Sequence, residues 1–158
     1  DEWLPCKLET QKKYMIENDV AFCATEYFIR SERDKKYRKF LPSKVSYKDL
    51  LKENVIGCLT VCYDVSKVGN RIMPVLRKRQ DYGLWLQILR DGWECNIINQ
   101  PLALYNVRKG SVSSKPLSNI YFHYSMFRTI LMMSRWVTLY YVTINIIHKI
   151  KRIIKMRT

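Results

Sequence analysis

The sequence predicts an α/β fold in which strands and helices alternate and a helical, basic tail follows. Apolar residues recur at helical spacing in several segments, most clearly in residues 80–90. Runs rich in β-branched and aromatic residues, such as Val20–Ile29, lie between those segments and indicate strands. The length of 158 residues and the 47% hydrophobic content suffice for one domain with a hydrophobic core, which excludes a chain that is disordered throughout.

The first part of the chain contains two predicted helices and two predicted strands. Pro5–Asn18 is predicted as a helix, because proline suits the first helical position. The strand Val20–Ile29 is followed by residues 31–44, a charged stretch that is either a solvated loop or a contact for a charged lipid or acceptor. A short helix is expected over Ser46–Glu53, because the serine hydroxyl can cap its first turn, and Val55–Tyr63 is predicted as a second strand.

The middle of the chain centres on one amphipathic helix. Asp64–Gly69 is expected to form a short helical turn that glycine ends, and the basic connection Arg71–Arg79 leads from it to the helix of residues 80–90. Asp91 and Gly92 are a typical stop signal for that helix. Two further strands, separated by a turn, are predicted after it: Glu94–Ile98 and Leu102–Val107.

Asp81 is the candidate reactive residue of the central helix. It falls in the first turn, where the partial positive charge of the helix end favours an ionised carboxylate. A fixed carboxylate beside a cleft can accept a proton from a hydroxyl group. The alternative is that Asp81 only stabilises its own helix end, and the segment by itself leaves both roles open.

Positive charge is concentrated late in the chain. The formal net charge is +14, and no aspartate or glutamate follows Glu94, whereas ten lysines and arginines do. Such a region is expected to bind phosphate, in a nucleotide, a nucleic acid or an anionic membrane. In the basic loop of residues 108–114, Arg108, Lys109 and Ser111 offer donors that suit a diphosphate, although basic loops without a ligand are also common.

The tail from Leu117 onward has helical periodicity. Its uncharged run, Trp136–Ile147, has twelve residues, which is too short to span a bilayer. Isoleucines form an apolar stripe with basic residues around it, as in a helix that lies in the headgroup region of an anionic leaflet. Packing against a partner subunit or another domain is an equal alternative. The stripe consists of Ile146, Ile147, Ile150, Ile153 and Ile154.

The five cysteines give no sign of a metal module. They contain no C-x-x-C pair, and their spacing from the two histidines is not that of a zinc site. We therefore expect reduced, mostly buried thiols in a cytoplasmic protein.

Four segments, taken in order, resemble the family 2 glycosyltransferases of bacterial surface-polysaccharide synthesis, which are inverting enzymes with the GT-A nucleotide-sugar fold. Residues 1–11, DEWLPCKLETQ, are similar to the segment that directly follows the metal-binding D-x-D motif of the family, which often reads D-x-D-D-x-W-x-P-x-K-L-E, with Asp1 as the last acidic residue of the motif. Residues 54–60 are similar to the strand that reaches the acceptor side of the site. Arg79–Tyr82 is similar to the E-D motif, with Gln80 in place of the glutamate.

The fourth segment, residues 102–113, is similar to the closing Y-R-x-H-x-x-S-x-S segment of the family. Arg108 stands where a histidine is common, and Asn106 stands where an arginine is common, so a basic group is kept although its identity differs. The resemblance extends from Asp1 to about Lys115. It implies the C-terminal part of a GT-A fold, with a mixed sheet flanked by helices, over residues 1–115. Residues 116–158 are then a helical, basic and possible membrane-associating tail.

The resemblance implies a role for each candidate residue. Asp81 would be the catalytic base, and Asp1 would lie next to a divalent metal ion, Mg or Mn, whose ligands lie mostly upstream of this chain. The donor diphosphate would be bound by Arg108, Lys109 and Ser111. The acceptor pocket would include Thr60 and Trp85, with a position in the core as the alternative for the tryptophan.

The implied reaction transfers a sugar from a nucleoside-diphosphate donor to a hydroxyl of a glycan or lipid-linked acceptor, with inversion. The implied setting is cytoplasmic and peripheral on the inner face of the cell membrane, without nucleic acid as a partner. The chain begins with Asp1 and has no glycine-rich phosphate loop, so we expect a missing N-terminal portion and an inactive 158-residue chain. The alternatives are a basic nucleic-acid-binding module and a non-catalytic remnant of a transferase.

Overall fold

A computed structural model of the chain describes residues 1–31, 34–107 and 116–155, which form a mixed sheet flanked by helices. This arrangement confirms the predicted α/β class. The strands are β1 (Glu2–Trp3), β2 (Phe22–Arg30), β3 (Lys36–Lys39), β4 (Lys44–Val45), β5 (Cys62–Tyr63) and β6 (Cys95–Asn106). The helices are α1 (Lys7–Glu17), α2 (Tyr47–Lys52), α3 (Val65–Val68), α4 (Gln80–Arg90), α5 (Pro116–Thr129) and α6 (Arg135–Lys155).

The two long strands β2 and β6 form the centre of the sheet. They run parallel, from Cys23 opposite Asn96 to Arg30 opposite Asn106. The outer edge of β2 pairs antiparallel with β5 at its start and with β3 at its end. The outer edge of β6 pairs antiparallel with β4 at its start and with β1 at its end. Each central strand is therefore covered on both edges by backbone hydrogen bonds along much of its length.

The main hydrophobic core lies between the sheet and the helices α2, α4, α5 and α6. The residues of α4 supply most of one side, because its apolar positions recur at three and four residue intervals. Phe22 and Ala24 of β2 supply the facing side. A smaller cluster, Met15 with Cys23 and Ile98, packs α1 against the sheet. The apolar residues whose spacing predicts α1, α4 and β2 in the sequence are thus among the residues that these elements bury in the core.

Several predicted elements are confirmed with shifts of a few residues. The helix predicted over residues 5–18 is α1, and the capped helix predicted from Ser46 is α2. Ser46 accepts a hydrogen bond from the Asp49 backbone, and the Asp49 carboxylate accepts one from the Ser46 backbone, which completes a capping box. The short helix α3 ends at Gly69, whose positive φ of 86° glycine adopts without steric cost.

The strand predicted over Val55–Tyr63 is wrong. Only Cys62–Tyr63 pairs with the sheet, and Cys58–Thr60 forms a single 3-10 turn. The carbonyl of Gly57 accepts hydrogen bonds from the backbone N–H of Thr60 at 2.9 Å and from its hydroxyl at 2.7 Å. These local bonds replace the strand ladder, because the hydroxyl offers the backbone a partner within its own turn.

Two other predictions need correction. The two strands predicted over residues 94–107 are one strand, β6, which continues through Pro101 with an irregular register opposite Thr25 and Glu26 of β2. A proline cannot donate to the ladder, so an irregularity is where the strand tolerates it. The charged stretch of residues 31–44 contains β3, whose strand character the density of basic residues concealed.

The helical tail packs on the rest of the chain with one face and leaves another face exposed. Asn145 of α6 donates a hydrogen bond to the carbonyl of Leu51 at 2.7 Å, and Val142 belongs to the main core. Ile147 and Ile150 of the predicted stripe are exposed, whereas Ile146 is half-buried against the core. Among the described helices, none combines the length and the hydropathy needed to cross a bilayer.

All five cysteines have free thiols.

Candidate active site

A cleft of about 690 Å³ lies between the C-terminal part of the central sheet and the start of α4. Its floor is formed by side chains of β2, β3 and β6, and its wall by residues 54–59 together with Asp81. Asp1 lies at its edge. Two residues that the sequence singled out, Asp1 and Asp81, are therefore brought to one cavity although eighty positions separate them.

The strand register explains the composition of the floor. Ile29 of β2 lies opposite Tyr37 of β3 on one side and opposite Tyr105 of β6 on the other. Tyr27, two positions before Ile29, lies opposite Lys39. Because directly opposed residues and residues two positions apart share one face of a sheet, these five side chains form a continuous surface.

The wall is a segment of backbone that approaches the floor closely. A β-carbon placed on Gly57 would lie 3.7 Å from the ring of Tyr27 and 3.2 Å from a methyl group of Leu59. The second distance is tighter than ordinary van der Waals contact, so a larger residue at position 57 would push the side chain of Leu59 aside. The side-chain oxygen of Asn54 on this wall has no hydrogen-bond partner within the described ranges.

Asp81 is held at the cleft by the way α4 begins. Arg79 precedes the helix in the left-handed conformation, with φ of 64°, and its carbonyl accepts the first helical hydrogen bond, from Gly83 at 3.0 Å. A left-handed conformation at a residue other than glycine is uncommon and carries some strain. The turn places Asp81 half-buried in the first turn of α4, as predicted, while Gln80 is exposed and donates to the carbonyl of Leu76.

The thiol of Cys58 shares the wall with Asp81. Burial raises the pKa of the Cys58 thiol, and the negative charge of Asp81 raises it further. The thiol is therefore protonated near neutral pH and is a weak nucleophile. The cleft lining contains two carboxylates, those of Asp1 and Asp81, and such a group can accept a proton from a bound hydroxyl; the first turn of α4 holds the carboxylate of Asp81 on the wall.

The edge of the cleft is fixed by the pairing of β1 with β6. The side chain of Asp1 accepts a hydrogen bond from the backbone N–H of Asn106 at 3.1 Å. Glu2 accepts a bond from the Asn106 side chain at 3.2 Å and lies 3.5 Å from Arg30. The end of β6, which immediately precedes the predicted diphosphate-binding segment in the chain, is thus held beside Asp1.

Three of the predicted site residues, Arg108, Lys109 and Ser111, lie outside the described residues, so their role stays a prediction. Within the described ranges, no group of three or more histidine, cysteine, aspartate or glutamate side chains is arranged to hold a metal ion. Asp1 alone does not make a metal site, because a divalent cation needs several oxygen ligands.

The two predicted acceptor-pocket residues do not line the cleft. Thr60 is fully buried, its hydroxyl donates to Gly57, and its carbonyl accepts from the side chain of Gln11 at 2.9 Å. Trp85 is 3% exposed and packs against Phe22 with ring centroids 5.6 Å apart. The tryptophan thus occupies the core position that helical spacing offered as the alternative, and Thr60 supports the wall through its hydrogen bonds to Gly57.

The residues of the floor were missed by reasoning from the sequence. The signal was present only in part: Tyr27 and Ile29 alternate as residues of one strand face do. Tyr37 and Lys39 lie in the charged stretch of residues 31–44, for which the sequence left open a solvated loop or a contact for a charged lipid or acceptor, and Tyr105 carried no mark of function. Their convergence depends on the pairing of three strands, which is not visible locally.

The chain was also compared with known proteins, and no protein-family model matches it. It is 38% identical over 116 residues to TuaG of Bacillus subtilis (strain 168), a putative teichuronic acid biosynthesis glycosyltransferase; the alignment covers 72% of this chain and 46% of TuaG. It is 32% identical over 124 residues to WfgD of Escherichia coli, with coverage of 76% and 47%. It is 29% identical over 147 residues to WfaP of Escherichia coli, with coverage of 92% and 58%.

WfgD and WfaP are both described as UDP-Glc:α-D-GlcNAc-diphosphoundecaprenol β-1,3-glucosyltransferases. This chain spans about half the length of the curated relatives it matches. A mixed sheet flanked by helices is consistent with part of a GT-A domain. The curated relatives that this chain matches are therefore bacterial glycosyltransferases of polysaccharide or lipid-linked glycan synthesis, and the chain is similar to about half of each.

Proposed function

We propose that this chain is the acceptor-side and catalytic-base part of an inverting glycosyltransferase of the family 2, GT-A type. The complete enzyme transfers a sugar from a nucleoside-diphosphate donor to a hydroxyl of a glycan or lipid-linked acceptor. The observation that carries the proposal is the position of Asp81, half-buried on the wall of a cleft whose edge holds Asp1. The similarity of the chain to glycosyltransferases supports a role for that carboxylate in sugar transfer.

In the proposed step, the acceptor hydroxyl donates its proton to the Asp81 carboxylate while its oxygen attacks the anomeric carbon of the donor. The bond from that carbon to the diphosphate breaks on the opposite face, so the configuration inverts. A positioned general base contributes typically about 10²–10⁴-fold to the rate. We propose that the departing diphosphate accepts hydrogen bonds from Arg108, Lys109 and Ser111. Their guanidinium, ammonium and hydroxyl groups are donors that suit phosphate oxygens.

A divalent ion, Mg or Mn, is part of the proposal with Asp1 beside it. When bound, such an ion neutralises charge on a diphosphate. We propose, as the family resemblance implies, that the other ligands of this ion lie upstream of this chain.

Relatives that act on diphosphoundecaprenol-linked sugars suggest an acceptor anchored in a membrane. We infer a peripheral position on the inner face of the cell membrane, supported by α6. Trp136, Tyr140, Ile147 and Ile150 are exposed and recur at the four and three residue intervals of one helical face. A basic helix with an exposed aromatic and aliphatic face suits the headgroup region of an anionic leaflet.

The substitution Asp81→Asn in the full-length enzyme tests the catalytic proposal. Transfer should fall by about 10²–10⁴-fold, because the amide cannot accept the proton, while donor binding is retained. Transfer is measured with radiolabelled nucleotide sugar, and donor affinity by calorimetric titration. The matched control is Asp19→Asn, which makes the same chemical change at a residue that is exposed and lies outside the cleft. Substantial transfer by Asp81→Asn would refute the assigned role.

A further inference from the structure

Three tyrosines from three different strands face the cleft on the same surface of the sheet. We call Tyr27, Tyr37 and Tyr105 the tyrosine floor. Tyr37 and Tyr105 flank Ile29 across the strands β3, β2 and β6, and Tyr27 lies one step along β2. Each ring therefore borders a neighbour on the floor, and together they form an apolar surface with hydroxyl groups.

The tyrosine floor is not buried in the hydrophobic core. Tyr37 is 46% exposed, and Tyr27 and Tyr105 are half-buried, whereas the core residues of β2 and β6 are almost fully covered. Aromatic side chains bury large areas when they can, so rings that line an open cavity are typical of a site that a ligand covers. The floor meets this description at the one cavity that also contains the carboxylates of Asp1 and Asp81.

The position of the floor restricts what can cover it. The next step rests on the proposed function, in which an acceptor hydroxyl reaches Asp81 on the wall. The ring that carries this hydroxyl must then lie in the cleft, whose lining includes the tyrosine floor. A lipid chain would leave the charges of Asp1, Asp81 and Lys39 beside apolar groups, which is costly. A sugar ring has an apolar C–H face, which suits the tyrosine floor, and a polar edge of hydroxyl groups, which suits the wall that carries Asp81.

We propose that the tyrosine floor binds the pyranose ring of the acceptor. The C–H face of the sugar packs on the rings of Tyr37 and Tyr105, and its hydroxyl edge points toward the wall that carries Asp81. The floor thereby fixes which face of the acceptor is presented to the donor. Tyr37 and Tyr105 are binding residues in this scheme, and the proton transfer stays with Asp81.

The test measures acceptor binding rather than turnover, in the full-length protein carrying Asp81→Asn. The probes are glucose, galactose, N-acetylglucosamine and N-acetylgalactosamine, each linked through a diphosphate to a short alkyl chain. Saturation-transfer NMR should show contact of the ring C–H protons of at least one probe. Adding Tyr37→Leu should weaken binding of that probe about tenfold, because the aromatic face is lost, and Tyr37→Phe should change it less than about threefold.

Tyr121→Leu is the matched control, because Tyr121 is 67% exposed on α5 and lies outside the cleft. It should leave probe binding unchanged. The proposal is overturned if no probe binds, if only the alkyl protons are saturated, or if Tyr37→Leu and Tyr105→Leu both bind as the parent does. Failure of the catalytic proposal has a different signature, since it is seen as surviving transfer in the Asp81→Asn protein with probe binding intact.

Discussion

Glu26 is a buried carboxylate, 2% exposed, at the centre of the sheet. One of its oxygens accepts from Arg38 at 2.5 Å, and the other accepts from the backbone N–H of Leu41 at 3.2 Å. Arg38 also donates to the carbonyl of Asn99 at 2.7 Å. These contacts join β2 to β3 and to the irregular part of β6. They therefore stabilise the strand that carries Tyr37 and Lys39 to the cleft.

We predict that Arg38→Met lowers the free energy of unfolding by about 2 kcal/mol, because it leaves a buried carboxylate without its cationic partner. The estimate is below that for a fully buried pair because the Arg38 side chain is 36% exposed. Urea unfolding followed by circular dichroism measures the change. Lys44→Met is the control. Lys44 pairs with Glu94, both side chains are exposed, and loss of this pair should lower the free energy of unfolding by less than about 1 kcal/mol. Equal losses in the two variants would contradict the prediction.

At the scale of single residues, the sequence singled out Asp81 and, through the family resemblance, Asp1, but not the other residues that line the cleft with them. Asp81 follows a local rule, since the first turn of an amphipathic helix is legible from spacing. Tyr37 depends on antiparallel pairing within a stretch where lysines and arginines outnumber apolar residues. Trp85 could be placed on the inner face of α4 by periodicity, but only the contact with Phe22 decides that it belongs to the core.

Among the elements, α2 is short and depends on its ends. It has six residues, and its backbone serves two neighbours: the carbonyl of Leu50 accepts from the hydroxyl of Tyr82 at 2.6 Å, and that of Leu51 accepts from Asn145. An isolated helix of this length is unstable in water. The capping box of Ser46 and Asp49 and the packing of α4 and α6 therefore hold it in place.

We predict that Ser46→Ala lowers the free energy of unfolding by about 1 kcal/mol at pH 7, as measured by urea titration. The capping box should also be sensitive to pH. Hydrogen bonds from the Ser46 side chain and backbone hold the pKa of the Asp49 carboxyl below its usual value of 3.8. A carboxyl pKa that is lower in the folded state than in the unfolded state stabilises the fold at pH values above the unfolded-state pKa. This contribution is lost as the pH falls through the folded-state pKa.

The difference in stability between the parent and Asp49→Asn should therefore be larger at pH 7 than at pH 3. An equal difference at the two pH values would show that the charge of Asp49 does not contribute.

The elements that the sequence predicted well are those with local signals. Capping residues located α2 and α3, and apolar periodicity located α1, α4 and the tail. The segment before β5 has β-branched residues and was predicted as a strand, but the hydroxyl of Thr60 and the carbonyl of Gly57 close a turn instead. Pro101 suggested a break in β6, whereas the sheet accommodates it by an irregular register. Competition between local bonds and long-range pairing cannot be judged from composition.

At the scale of the whole molecule, the exposed face of α6 and the distribution of charge act together. Arg135, Lys149 and Lys151 are exposed on the same helix, and α6 contains no aspartate or glutamate. Two copies of this helix packed side by side would bring like charges together, which is unfavourable. An anionic lipid surface supplies the opposite charge along the full length of the helix.

We predict that the protein floats with vesicles containing phosphatidylglycerol and much less with vesicles of phosphatidylcholine alone. The double substitution Ile147→Ser and Ile150→Ser should reduce flotation, because it removes apolar area that the headgroup region would bury. Ile16→Ser, at a residue that is 70% exposed on α1, is the control and should have no effect. Equal flotation with neutral vesicles would contradict the role of charge, whereas a salt-sensitive gel shift with nucleic acid in place of flotation would favour the nucleic-acid alternative.

The parallel pairing of β2 with β6 has a consequence for biosynthesis. β2 leaves the ribosome long before its central partner, because residues 31–94 must be made in between. At a synthesis rate of about 5–20 residues per second, one edge of this apolar strand stays bare for roughly 3–13 seconds. Such an edge is a template for pairing with other nascent chains. We therefore expect expression yield to depend on chaperone supply and on slow growth at low temperature, more than on the stability of the finished protein.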